Sequence, residues 1–192
     1  MAQSEKIYST IPEAETVIKE LCEKYPDELW QVRPDMVSVL AVENKKRPEK
    51  SDTLARVVPI KGVEKALMQI NNVNTRYVIE LYWSDWNEWG QNLRQWIMFH
   101  ELLHICKDIG KTVKHDCEDF RMIIDKAGVD WVNRKDLPNM LLEKVDFNLD
   151  LRPGVSDDGR IKDEDSDVVP PSSQKESEDG QEPDELVFDP DE

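Results

Sequence analysis

The stretch FHELLHICKDIGKTVKHDC, Phe99 to Cys117, carries all three histidines of the 192-residue chain. Its first part continues a longer pattern in which Leu93, Trp96, Ile97, Phe99, Leu102, Leu103, Ile105 and Cys106 fall nearly all the way round a 3.6-residue period. A helix apolar on most sides is one that other elements cover, so this segment is expected at the centre of the fold. Gly110 suits its C-terminal cap. Beyond it DCEDFRMIIDKAG reads as another helix, opened by Asp116 and Asp119 and closed by Gly128.

Working outward, the preceding chain supplies what such a helix packs against. PEAETVIKELCEKY (Pro12–Tyr25) puts Val17, Ile18, Leu21 and Cys22 at helical spacing, with Pro12 suited to the first turn. DMVSVLAVEN (Asp35–Asn44), LARVVPIKG (Leu54–Gly62) and RYVIELYW (Arg76–Trp83) read as strands, the second ending at Pro59 or lying at a sheet edge because proline donates nothing to a ladder. A short helix is expected over KGVEKALMQINN, and another at Asn139–Lys144. The fold class is α+β: a small twisted sheet against one buried helix, with flanking helices.

Charge divides the chain. Between Ser156 and Glu192 there are 15 Asp and Glu against Arg160, Lys162 and Lys175, so twelve of the sixteen net negative charges sit in this segment. Residues 1–152 are expected to form one domain, and 153–192 a disordered acidic tail. Phosphate binding needs a basic surface, which argues against nucleic acid as the main partner; the one basic cluster, NKKRPEK, is interrupted by Glu49. No apolar run approaches the roughly 20 residues of a membrane span. Three cysteines, Cys22, Cys106 and Cys117, form no spaced framework, which points to a reducing compartment and a cytoplasmic protein. Within the tail, ELVFDPDE (Glu185–Glu192) sets Leu186, Val187 and Phe188 among acids, a candidate docking motif for a protein partner.

On a helix His100 and His104 stand one turn apart, about 40° apart around the axis, so both imidazoles can reach one ion. Glu101 adjoins the first of them, and in H-E-x-x-H sites this carboxylate lies beside the open coordination position, where it can take a proton from water. Borderline-soft nitrogen donors suit Zn2+, here one ion per chain. His115, past the Gly110 break and at the start of the next helix, is the expected third ligand; if that helix already includes it, Asp119 shares its face at i+4, placed to orient the imidazole or to replace a ligand, with Glu118 and Asp116 weaker candidates. A sulfur-containing set of His104, Cys106, His115 and Cys117 fails on a helix, because residues two apart face about 200° away from each other. Cys106 and Cys117 are instead expected as small buried hydrophobes. Tyr82 and Trp83 are candidate substrate contacts, on a strand expected to be an edge onto which an extended peptide could add.

WIMFHELLHI, then HDCEDF, then an apolar run ending in AGVDW resembles, in order and spacing, the phage metallopeptidases, a zincin-like family encoded in bacteriophage and prophage genomes. The resemblance covers roughly Asp35 to Trp131. It implies a zinc-dependent peptidase fold with His100 and His104 as ligands and Glu101 as catalytic base, matches His115 to the histidine of the family's H-D-x-x-[DE]-F segment, and places the protein in the host cell cytoplasm. The expected reaction is hydrolysis of a peptide bond in a protein or peptide substrate. Two rivals are a zincin-fold protein that binds a phage or host target without catalysis, and a structural metal site closed by Asp119.

Overall fold

The computed structural model of the chain describes residues 6–44, 53–106, 111–117 and 119–153. These form a four-stranded mixed sheet in the order β1-β2-β4-β3, with β1 at Lys6–Thr10, β2 at Val37–Asn44, β3 at Ala55–Pro59 and β4 at Tyr77–Tyr82. The outer pairs are antiparallel and the central β2–β4 pair is parallel. Helix α1 (Pro12–Lys24) follows β1, α2 (Gly62–Ile70) joins β3 to β4, and α3 (Trp83–Glu88), α4 (Gln91–Leu103) and α5 (Arg121–Ala127) come after the sheet. The α+β architecture is the expected one.

Alternation assigns the two faces of the sheet. Val37, Val39 and Ala41 of β2 lie in register with Tyr77, Ile79 and Leu81 of β4, and all six are buried beneath α1 and α4. On the opposite face Glu80 is covered from both neighbouring directions, accepting from Tyr8 at 3.2 Å and pairing with Arg56 at 2.6 Å and Lys6 at 3.6 Å. Burial alone would raise the Glu80 carboxyl, but the Arg56 hydrogen bond and charge, with Lys6 and Tyr8, bring it below its ordinary range. Strand β1 was not foreseen: its sequence KIYST lacks apolar alternation because four of its five residues are exposed. It forms through backbone pairing with β2, helped by the contacts of Tyr8 and Lys6 with Glu80.

Helix α4 is largely buried from Gln95 onward, with Trp96, Met98, Phe99 and Leu102 at 0 % exposure. Phe99 stacks on Phe147 at 4.7 Å between ring centroids and meets the edge of Tyr25 at 5.4 Å. The segment after α5 has little regular structure and is tied to α4 by side chains: Trp96 Nε1 donates to Pro138 O at 3.0 Å, Asn92 Nδ2 to Leu137 O at 2.7 Å, and Met140 N to Gln95 Oε1 at 2.9 Å. The helix expected at Asn139–Lys144 is a single turn. Asn139 Oδ1 takes the amides of Leu141 and Leu142, and Val145 N already donates to the Tyr25 hydroxyl at 3.0 Å, so the ladder does not continue.

Tyr25 is the main tie between α1 and this segment, its hydroxyl donating to Met140 O at 2.9 Å while receiving Val145 N. Tyr25→Phe keeps the ring and removes the partner of the buried Met140 carbonyl and of the half-buried Val145 amide. It is expected to cost about 2 kcal/mol, read as a lower denaturation midpoint at unchanged slope.

The strand expected to be an edge is not one. β4 lies between β2 and β3; β3, like β1, is an edge strand, which is where Pro59 is tolerated. The Gly110 cap and the tail beyond Pro153 lie outside the described residues; α4 itself ends at Leu103. Among the described residues no helix is long and apolar enough to cross a membrane.

Candidate metal centre

Helix α4 delivers His100 and Glu101 from its last turn and His104 from its C-cap. The chain then doubles back: Ile105 bridges Thr112, and Val113 N donates to His104 O at 2.8 Å. The buried Tyr77 hydroxyl lies 3.0 Å from Cys106 O and 3.1 Å from Lys111 O, holding the two limbs of this return together. The return brings His115 opposite the helix. Its Nε2 lies 3.1 Å from Nε2 of His100 and 3.1 Å from Nε2 of His104, which are themselves 3.2 Å apart.

Which nitrogens carry protons follows from the partners of the opposite ring atoms. His104 Nδ1 is 2.7 Å from Val113 O, which can only accept, so the hydrogen sits on Nδ1 and Nε2 presents a lone pair. His100 Nδ1 is 3.0 Å from Asp119 Oδ1, facing a carboxylate though short of linear hydrogen-bond alignment, which assigns it the same tautomer. Two lone pairs therefore point at each other across 3.2 Å with no hydrogen between them, and His115 adds a third nitrogen. That arrangement calls for a cation. A tetrahedral ion with bonds of about 2.0–2.1 Å spaces its nitrogens about 3.3 Å apart, within a few tenths of an ångström of what is found.

The electrostatics agree. Burial, with the neighbouring imidazoles, pushes His104 down to about 4, so it stays neutral and able to ligate; His115 is lowered by burial and by His100. Asp119 would be raised by burial, but the contact with His100 and the hydrogen bonds from Trp131 and Phe120 hold it at about 2. Both its oxygens are engaged, Oδ1 by Phe120 N at 2.6 Å and Oδ2 by Trp131 Nε1 at 2.6 Å. Asp119 thus faces the far nitrogen of His100 and stays outside the trio of converging atoms. The closed site that would use it as a fourth ligand does not match this geometry.

Glu101 is 5 % exposed and lines a cleft of about 580 Å³ together with the three histidines, Asp119 and the Thr53–Val57 stretch. The Val57 backbone hydrogen-bonds its carboxylate, while Oε2 has no partner. Burial pushes the group up to about 7, with Asp119 adding to the rise and His100 and Val57 opposing it. In the metal-free chain the folded state binds this proton more tightly than the unfolded state, so the group's contribution to stability falls as pH rises from the ordinary carboxylate range through about 7. Metal-free Glu101→Gln is accordingly expected to be more stable than metal-free wild type at pH 8, with the gap closing by pH 5 in parallel thermal melts.

Several expectations need correction. α5 begins at Arg121, not at Asp116, because Phe120 is its N-cap and Asp119 is spent on His100 and Trp131; His115 therefore lies on a loop and shares no helical face with Asp119. Asp116 is exposed and accepts from Arg121 N at 3.3 Å, apart from the triad. Cys117 is exposed and Cys106 half-buried, so neither is a buried hydrophobe; all three cysteines are free. Tyr82 is near Arg56 on the outer sheet face and is not among the residues lining the cleft; the side chain of Trp83 and all of Glu118 lie outside the described residues. The sequence reading missed β3 as the cleft wall, the Val113 carbonyl and the Trp131 indole. β3 carried a signal in Pro59 as an edge marker, and Trp131 in closing the AGVDW of the resemblance; the Val113 carbonyl carried none.

Comparison with curated proteins and with solved structures returns no match. The family model described as "Putative phage metallopeptidase" matches residues 6–142, which spans the whole sheet, the helix bearing His100 and His104, and the loop bearing His115. The chain belongs to that phage metallopeptidase family.

Proposed function

We propose that the protein is a zinc-dependent peptidase of zincin type that hydrolyses peptide bonds, with Glu101 as general base. The observation that carries this reading is the convergence of three histidine Nε2 atoms within 3.2 Å of one another beside a buried carboxylate whose Oε2 has no protein partner. His100, His104 and His115 would hold the ion, and the engagement of Asp119 elsewhere favours a fourth position left to solvent. When bound, zinc supplies a Lewis acid that makes water acidic near neutral pH and polarises a carbonyl. Glu101 Oε2 accepts the proton of the attacking water and passes it to the leaving amine.

The sheet edge supports a peptide as substrate. Leu54 O accepts from Tyr82 N and Ile60 N donates to Arg76 O, and in antiparallel pairing the residues between them alternate, so Arg56 and Val58 bond to β4 while Ala55 and Val57 direct their backbone groups outward. Val57 reaches Glu101 from that side. An extended chain adding to β3 would run alongside the base. The three free cysteines support a cytoplasmic setting, that of the host for a phage-encoded protein, and the acidic tail is offered as a docking segment for a protein partner.

The test is incubation of zinc-loaded full-length protein with unstructured polypeptides, with new amino termini read by mass spectrometry. Termini that appear with zinc and vanish with chelator are expected. Their absence across a broad peptide library at full zinc occupancy would overturn the catalytic reading in favour of a binding role.

A further inference from the structure

The carboxylate behind His100 is itself held from behind. Trp131 is 3 % exposed and sits in the turn after Gly128, whose φ of 79° closes α5 and redirects the chain toward the site. Its Nε1–H donates to Asp119 Oδ2 at 2.6 Å, while its ring lies 5.8 Å from that of His100 and 6.3 Å from that of Trp96. Phe120 N binds only Oδ1, the oxygen that faces His100. A carboxylate torsion is broad and two-fold, so one backbone hydrogen bond does not fix the plane of the group. A second donor on the other oxygen does.

We propose that Trp131 is a positioning residue of the metal centre: its indole N–H locks the Asp119 carboxylate in the plane that orients His100 toward the ion. The proposal rests on the metal reading of the histidine triad. Without the indole hydrogen, Oδ2 of a half-buried carboxylate loses its partner, the group turns to find another, and the His100 ring loses the acceptor that sets its tautomer and direction. Trp131 also lines the cleft, but its effect on the metal is exerted through two other residues, Asp119 and His100.

The experiment measures zinc affinity of the full-length chain by competition with a chromophoric chelator, for wild type, Trp131→Phe, Asp119→Ala and the double variant. Phenylalanine keeps an aromatic ring against His100 and Trp96 and removes the donor. Trp131→Phe is expected to weaken zinc binding about 10–100-fold, the range for loss of an outer-shell partner. The double variant is expected to bind no more weakly than Asp119→Ala. Unchanged affinity in Trp131→Phe overturns the proposal, as does a loss that recurs in full in the Asp119→Ala background, because a packing defect would act there equally. That comparison stands even where the substitution lowers the metal-free melting temperature. Failure of wild type to bind zinc would instead sink the metal reading itself, which separates the two outcomes.

Discussion

Glu101→Gln, loaded with zinc, is expected to keep its metal and its fold and to lose peptide hydrolysis by about 10²–10⁴-fold, the range general-base catalysis contributes. The substitution is nearly isosteric at a residue 5 % exposed, and Oε2, the atom it changes in character, has no partner to lose. Removing an ionisable group that burial pushes up to about 7 also removes a destabilising charge from the metal-free protein at alkaline pH, so folding is not expected to suffer. Zinc content measured beside the cleavage rate decides the interpretation. A variant that holds zinc and cleaves at the wild-type rate excludes Glu101 as the base. A variant that holds zinc, cleaves nothing and still supports the protein's biological effect shows that the effect depends on binding rather than hydrolysis.

His104→Ala is expected to abolish stoichiometric zinc binding, with a loss of affinity beyond the roughly 10–100-fold that an outer-shell partner commands. His104 is the most constrained of the three histidines: its Nδ1 is fixed by Val113 O at 2.7 Å, and its own carbonyl takes Val113 N at 2.8 Å, so the residue would both ligate and close the return that carries His115. Alanine preserves the backbone pairing, and the chain should fold without metal. His115→Ala, on an exposed loop position, is expected to weaken binding with less effect on metal-free stability. Elemental analysis of each purified variant after equilibration at equal free zinc checks the order. Full zinc occupancy in His104→Ala would remove the triad as the metal centre.

The helical part of the site was legible because it is local. His100 and His104 are brought together by the helical period alone, and the apolar residues around them, Trp96, Phe99 and Leu102, announced a buried helix. His115 was named from its place after a chain break and from the resemblance, and it does reach the others, but along a loop and not from the start of the next helix. That difference mattered for Asp119: helical spacing would have set it beside His115, whereas the fold gives it to His100. Two hydrogen bonds, from Phe120 and Trp131, favour the supporting carboxylate over the fourth ligand, and neither has a periodic signature.

Three of the four strands were read in the right places, but the one expected at an edge, β4, is central. Tyr77–Tyr82 alternates as a half-buried strand whether it lies at an edge or between neighbours, because alternation reports which face is covered and is silent on what pairs at the sides. The strand bordering the cleft is therefore β3 and not β4, and the groups a peptide is proposed to meet change from the side chains of Tyr82 and Trp83 to the backbone of Ala55 and the carbonyl of Val57, whose N–H serves Glu101.

By itself the sequence determined the α+β class, the central helix, and the pairing of His100, Glu101 and His104, since each depends on residues within a turn or two of one another. Only the tertiary structure decided which strand borders the cleft, how His115 arrives, and that Asp119 holds an imidazole instead of closing the site. Those depend on contacts such as Val113 to His104, Val57 to Glu101 and Trp131 to Asp119, made across chain reversals whose geometry is set by packing and backbone hydrogen bonding, where no local spacing rule applies.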